Sequence, residues 1–179
     1  MIRLTRNNHN FEAVSWVVKG VADKGETRRS LKCLQVKDGV ITSTNGHIAL
    51  RAKLEKPNYI PITVIENGLY EVIKATKSEI IMDETTEELT FPNVDQVIPD
   101  CVDMPFLVNS SNSGFFSNRF VVTTDLIRVL PAGCTVNYDY IGTILNGGAW
   151  VEFVAYKDIG KPIVFSGESR VAVLQPMRY

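Results

Sequence analysis

Asp83, Glu84, Glu87 and Glu88 place four carboxylates on one short stretch, DETTEE. Carboxylates this dense can hold a divalent cation, but a calcium loop needs donors in ordered alternation and a central glycine for its sharp turn, and this stretch has neither. A solvated, charged hairpin edge is the simpler reading, because charge keeps exposed strands from pairing. Cys33, Cys101 and Cys134 are an odd set spread along the chain. They read as core thiols in a reducing compartment rather than a disulfide framework. With only His9 and His47 and no close cysteine pair, no zinc set forms, and no Cys and His arrangement suggests an activated nucleophile. His47 follows a turn and precedes apolar residues, so its ring either takes a structural hydrogen bond or lines a shallow pocket. The chain has no GxGxxG, Walker loop, HExxH or GxSxG. Gly142 and Gly147-Gly148 lack a phosphate-loop lysine and read as a helix terminus. No enzyme activity, metal or cofactor is expected.

The basic residues around the first predicted helix carry more information. Lys19 falls late in that helix, and Lys24, Arg28 and Arg29 follow closely. They can meet phosphate oxygens, or they can complement the helix's C-terminal carbonyls, which is the simpler role. A formal charge of -1, from nineteen basic and twenty acidic residues, excludes polyanion binding by bulk charge. Any nucleic-acid surface must therefore be local, and it strengthens if an oligomer repeats it around one channel.

Elements must position these groups. The 179 residues, 45% hydrophobic and 22% charged, suffice for one sizeable core or two small ones. Phe11, Val14, Val17, Val18, Val21 and Ala22 predict a helix capped by Asn8 or Asn10 and ending near Gly25. Strands are expected at 31–36, 40–44 and 47–53, joined by Lys37-Asp38-Gly39 and Asn45-Gly46 turns. Residues 57–65 and 68–75 read as a further extended pair, with helix as the alternative near 70–75, and short strands follow at 80–82 and 89–91. The Pro-, Asn- and Ser-rich stretch from about 92 to 118 reads as a long connection. After it come a strand at 120–122, a short helix at 124–129, a helix after Asn137, and strands at 149–155, 163–165 and 170–174. Helix followed by strands thus occurs twice without a close sequence repeat. The N-terminus has no signal-peptide pattern and no later run approaches the roughly eighteen apolar residues of a membrane span, so a cytoplasmic protein with no membrane partner is expected.

Four collinear segments give the chain a resemblance. They are Ser43-Thr44-Asn45-Gly46-His47-Ile48-Ala49-Leu50, Phe91 to Pro99 (FPNVDQVIP), Asn137 to Ile141 (NYDYI), and Gln175-Pro176-Met177-Arg178-Tyr179. Together they resemble the ATDGHRLA phrase, the Val-Ile-Pro element and the Met-Pro-Met-Arg-Leu ending of the bacterial sliding clamp, the DNA polymerase processivity factor. Ile48, Ala49 and Gln175 stand where that family usually has Arg, Leu and Met.

The resemblance implies an α+β, DNA-clamp-like fold, with helices packed on antiparallel sheets and a weak internal βαβββ repeat. It implies one clamp-like domain over 1–179 with an insertion or long connection between about 92 and 118, or a two-module division near 105. It further implies a noncatalytic clamp that encircles duplex DNA and recruits replication proteins. A bacterial clamp subunit has three domains, so a ring built from this shorter chain needs more copies, as a cyclic homo-oligomer. Lys19, Lys24, Arg28 and Arg29 become the phosphate contacts. Thr44, Gly46, His47, Pro176, Met177 and Arg178 become a pocket for a polymerase or clamp-loader peptide. The alternatives are that Val173, Pro176 and Met177 only complete a strand, and that the chain is a clamp-fold adaptor that does not encircle DNA.

Overall fold

The computed structural model describes residues 1–55, 63–98, 119–147, 150, 152–156 and 160–178. Cys101, the division expected near 105, most of the expected 92–118 connection, Pro99, the 57–62 part of the expected extended pair, and Tyr179 lie outside these residues. The chain forms two compact units, one of Met1–Gly46 with Leu50–Pro92, the other of His47–Ala49 with Asn93–Tyr179.

The first unit contains β1 (Ile2–Thr5), α1 (Phe11–Val17), β2 (Cys33–Lys37), β3 (Val40–Thr44), most of β4 (Ile48–Lys53), β5 (Gly68–Ala75) and β6 (Glu79–Glu84). Its sheet runs β1-β6-β5-β2-β3-β4. The β2–β3 hairpin closes on the Lys37-Asp38-Gly39 turn, with Lys37 opposite Val40. Residues 70–75 are strand rather than helix: Tyr70 faces Glu84 in β6 and Leu34 in β2. Residues 89–91, expected as a strand, are irregular, although Phe91 is buried. β1 was not expected at all. It forms because Leu4 lies opposite Ile80 and Ile2 opposite Met82, on a partner remote in sequence.

α1 buries Phe11, Val14, Trp16 and Val17 and packs on β3. It stops well before the expected Gly25, and a short 3-10 turn, Val18–Gly20, follows. The reason is tertiary. The Ser43 hydroxyl donates to the Val17 carbonyl at 2.5 Å, and the Val21 N–H turns back to Val18 instead. Gly20 permits this approach, since a Cβ there would lie 2.4 Å from Ser43 Oγ and 3.0 Å from Leu50 Cγ. Asn10 stands at the N-cap position without capping. Its side-chain amide instead pairs with both backbone groups of Glu55, at 2.9 and 3.1 Å.

The second unit contains α2 (Arg119–Val129), β7 (Cys134–Thr135), α3 (Tyr138–Leu145), β8 (Glu152–Val154), β9 (Ile163–Ser166), β10 (Arg170–Leu174) and β11 (Met177–Arg178). β8, β9 and β10 form an antiparallel ladder, and β11 pairs with β7. Phe120 to Val122 begin α2 rather than forming a strand. Val122 and Leu126, one helical turn apart, are both buried, and that packing overrides the β-propensity of the Val-Val-Thr-Thr run. Asn137 caps α3 as its sequence position suggests, its Oδ1 accepting from the N–H groups of Asp139 and Tyr140. Gly142 inside α3 leaves room for Arg119: a Cβ there would lie 2.8 Å from Arg119 Cζ. The Arg119 guanidinium covers the Tyr138 ring at 3.5 Å and donates to Tyr138 O and Asp139 Oδ1. This fastens α2 to the start of α3.

The order β1-α1-β2-β3-β4 returns as β7-α3-β8-β9-β10. The architecture is α+β, with helices on antiparallel sheets.

Candidate functional site

Two groups of residues are candidates, one at His47 with the C-terminal strand in the second unit, the other beyond α1 in the first. In the first unit, the Thr44 hydroxyl accepts the Gly46 N–H at 3.1 Å. Gly46 carries φ +88°, and the Arg28 side chain lies beside it, 3.6 Å from where a Cβ would stand. In the second unit, the Gln175 N–H donates to the His47 carbonyl at 2.8 Å, so the residue after the turn meets the chain's far end. Gln175 also donates through Nε2 to Gly160 O at 2.9 Å. Pro176 beyond it is buried. Met177 is exposed at 38%, an apolar side chain facing solvent on β11, and Arg178 is exposed beside it.

Tyr140 belongs with this group, although no motif pointed to it as a binding residue. Its ring stacks on that of His47 with centroids 6.0 Å apart and planes 19° apart. Its sequence signals were its place on the first turn of a capped helix and within the NYDYI segment of the resemblance. Exposed Met177 and the stacked His47 and Tyr140 rings offer apolar and aromatic surface, with Pro176 buried and backbone groups nearby. That combination suits capture of an extended peptide more than bond chemistry.

The basic group is less available than its sequence suggested. Lys19, in the 3-10 turn after α1, and Lys24 are both exposed, whereas the two arginines are occupied. Arg28 donates from its backbone N–H, Nε and Nη2 to the Glu26 carboxylate, at 3.0 to 3.1 Å. Those bonds hold the Glu26 carboxyl at about 2, against an ordinary 4.5, the Arg28 side chain being the largest cause. The pairing is therefore fully present above the ordinary carboxylate range and is lost only as pH falls toward about 2. Arg29 reaches both Glu71, at 3.0 Å, and Glu87. Lys32 donates to the Lys24 carbonyl at 2.9 Å. On α3, exposed Asp139 pairs with Arg119, and the helix carries no basic residue.

The acidic stretch is dispersed rather than gathered. Glu87 pairs with Arg29, and Asp83 accepts the N-terminal ammonium at 2.8 Å, which holds its carboxyl below the usual range. No group of three metal-ligating side chains occurs among the described residues. Among them, too, no helix is long and apolar enough to cross a membrane.

No family model matches the chain, and no curated protein does. Solved structures do. A DNA polymerase sliding clamp from Pseudomonas aeruginosa superposes with TM-score 0.60 at 13% identity, over 99% of this chain and 66% of that one. A Helicobacter pylori beta clamp bound to a DNA ligase peptide gives 0.58 at 11%, with 99% and 66% covered. A Bartonella birtlesii sliding clamp bound to griselimycin gives 0.54 at 16%, again with 99% and 66% covered. The chain has the sliding-clamp fold.

The chain spans just under two thirds of the length of these clamps, 66% in each case. Sequence divergence explains why fewer signals survive in the residues than in the backbone. The clamp fold needs helices on antiparallel sheets, which many apolar sets satisfy, whereas a peptide surface depends on a handful of side chains.

Proposed function

We propose that this chain is a noncatalytic protein-docking module of the sliding-clamp fold. Its docking surface captures a short linear peptide of a DNA polymerase or clamp loader on a shelf formed by His47, Tyr140, Pro176, Met177 and Arg178. The observation that carries the reading is the hydrogen bond from Gln175 N to His47 O, because it joins two segments that are remote in sequence and both resemble clamp motifs. The peptide in the Helicobacter pylori clamp supports the same kind of partner. Thr44 and Gly46 shape the turn from which His47 emerges. Such a module belongs beside replicating DNA in the cytoplasm.

Met177→Glu is the direct test. A charge in place of the apolar Met177 side chain should weaken a labelled peptide from the cognate polymerase at least about tenfold, since apolar contact is lost and binding must desolvate a carboxylate. Fluorescence anisotropy reads the affinity and circular dichroism the fold. Unchanged affinity in a folded variant would remove the shelf.

A second reading, a cyclic homo-oligomer around duplex DNA, rests on the sheet edges. β1 ends the sheet of the first unit and β8 the ladder of the second, and each offers backbone groups to a neighbouring copy. Lys19 and Lys24 would then supply nonspecific phosphate contacts that permit sliding. Native mass spectrometry across a concentration series should give one discrete closed assembly. Persistent monomer would remove the ring and leave the docking module.

A further inference from the structure

Three cations follow α1 on a short segment, Arg28, Arg29 and Lys32, and each is turned onto an acceptor of the protein itself. The acceptors are built into place. Glu71 lies in β5 opposite Cys33, directly beside the turn that carries Arg29. Glu87 is set by a turn whose Thr85 hydroxyl accepts the Glu87 N–H at 3.2 Å, while the Thr85 N–H donates to Leu69 O at 2.9 Å. Both carboxylates therefore face Arg29 from elements far along the chain, and Glu26 occupies the Arg28 fork through three donors.

We propose that the Arg28–Arg29 edge is a latent polyanion-binding surface whose positive charge is cancelled by Glu26, Glu71 and Glu87. A nucleic-acid phosphate must compete with a carboxylate already held against each guanidinium. Exchanging one anion for another at the same fork gains little, so the edge stays off duplex DNA while the carboxylates remain. Both arginines are exposed, at 65% for Arg28 and 49% for Arg29, so phosphate reaches them once the carboxylates are gone. This inference concerns a surface other than the peptide shelf and does not depend on it.

The test is anisotropy of a labelled duplex of about 20 base pairs, titrated across a salt series. Glu26→Gln/Glu87→Gln removes two of the three carboxylates and leaves β5 untouched. Glu12→Gln/Glu66→Gln makes the same change in net charge at two exposed carboxylates of the same unit. The first variant should bind at least about fivefold more tightly than wild type at low salt, with a log–log salt slope steeper by about 1 to 2. The second should stay within about twofold of wild type. Adding Arg28→Gln/Arg29→Gln to the first variant should abolish its gain. Equal affinities for the two glutamine pairs, absence of binding by the first, or a gain that survives loss of both arginines would each overturn the proposal. Circular dichroism confirms that all variants are folded.

Discussion

Phe165→Ala should destabilise the second unit by about 3–5 kcal/mol. Phe165 is fully buried in β9, with the Trp150 ring against it edge-on at 6.0 Å and the Phe153 ring tilted at 5.7 Å. Removing it leaves an aromatic-sized void between the Trp150 and Phe153 side chains, and both the transfer and the cavity contributions are lost. Trp150 also donates its indole N–H to Ile144 O at 3.1 Å, so a shift of that ring loosens the C-terminal turn of α3. Urea unfolding followed by tryptophan fluorescence reads the change. Trp16 lies in the first unit and Trp150 in the second, so a Trp16→Phe background reports the second unit alone. A loss under about 1 kcal/mol would mean that the three rings do not form the centre of that core.

Gly20→Ala should cost about 2–3 kcal/mol, although alanine is ordinarily the better helix former. A methyl group at Gly20 would sit 2.4 Å from Ser43 Oγ and 3.0 Å from Leu50 Cγ, and both side chains are fully buried. Ser43 can yield only by rotating away from the Val17 carbonyl, which leaves a buried hydroxyl and a buried carbonyl unpaired. Leu50 cannot retreat without disturbing the sheet beneath. The mechanism makes a sharper demand than destabilisation alone. In a double-mutant cycle, Gly20→Ala should cost clearly less when Ser43 is already alanine, because the clashing oxygen is gone. Additive losses would show that Leu50, not Ser43, sets the limit, and wild-type stability of Gly20→Ala would contradict the packing altogether.

Much of the architecture was legible in the residues. β3 at 40–44 and β10 at 170–174 fall where alternation and turn residues place them, and α3 begins at its Asn137 cap. These features are local: a hairpin turn, a cap and a short apolar period each act within a few residues. The αβ order and its return in the second unit follow from the same signals. The turn at Asn45-Gly46 and the C-terminal Pro-Met-Arg were likewise recognisable as sequence, which is why His47 and Met177 stood out before any geometry.

Partners far apart in sequence decided the rest. β1 is four residues with no turn or period to announce it, and it is a strand because β6 supplies its ladder. Phe120 to Val122 read as strand ahead of a short helix at 124–129, until the burial of Val122 and Leu126 on one helical turn is known. The length of α1 was set by Ser43 on β3 and not by the helix's own residues. Arg29 looked like a free cation because the glutamates that occupy it lie 42 and 58 residues away. The sequence thus determined the fold class, the turns and which residues were chemically suited to bind. Tertiary structure alone decided which were available, because availability depends on neighbours brought in by long-range pairing, and local propensity carries no information about them.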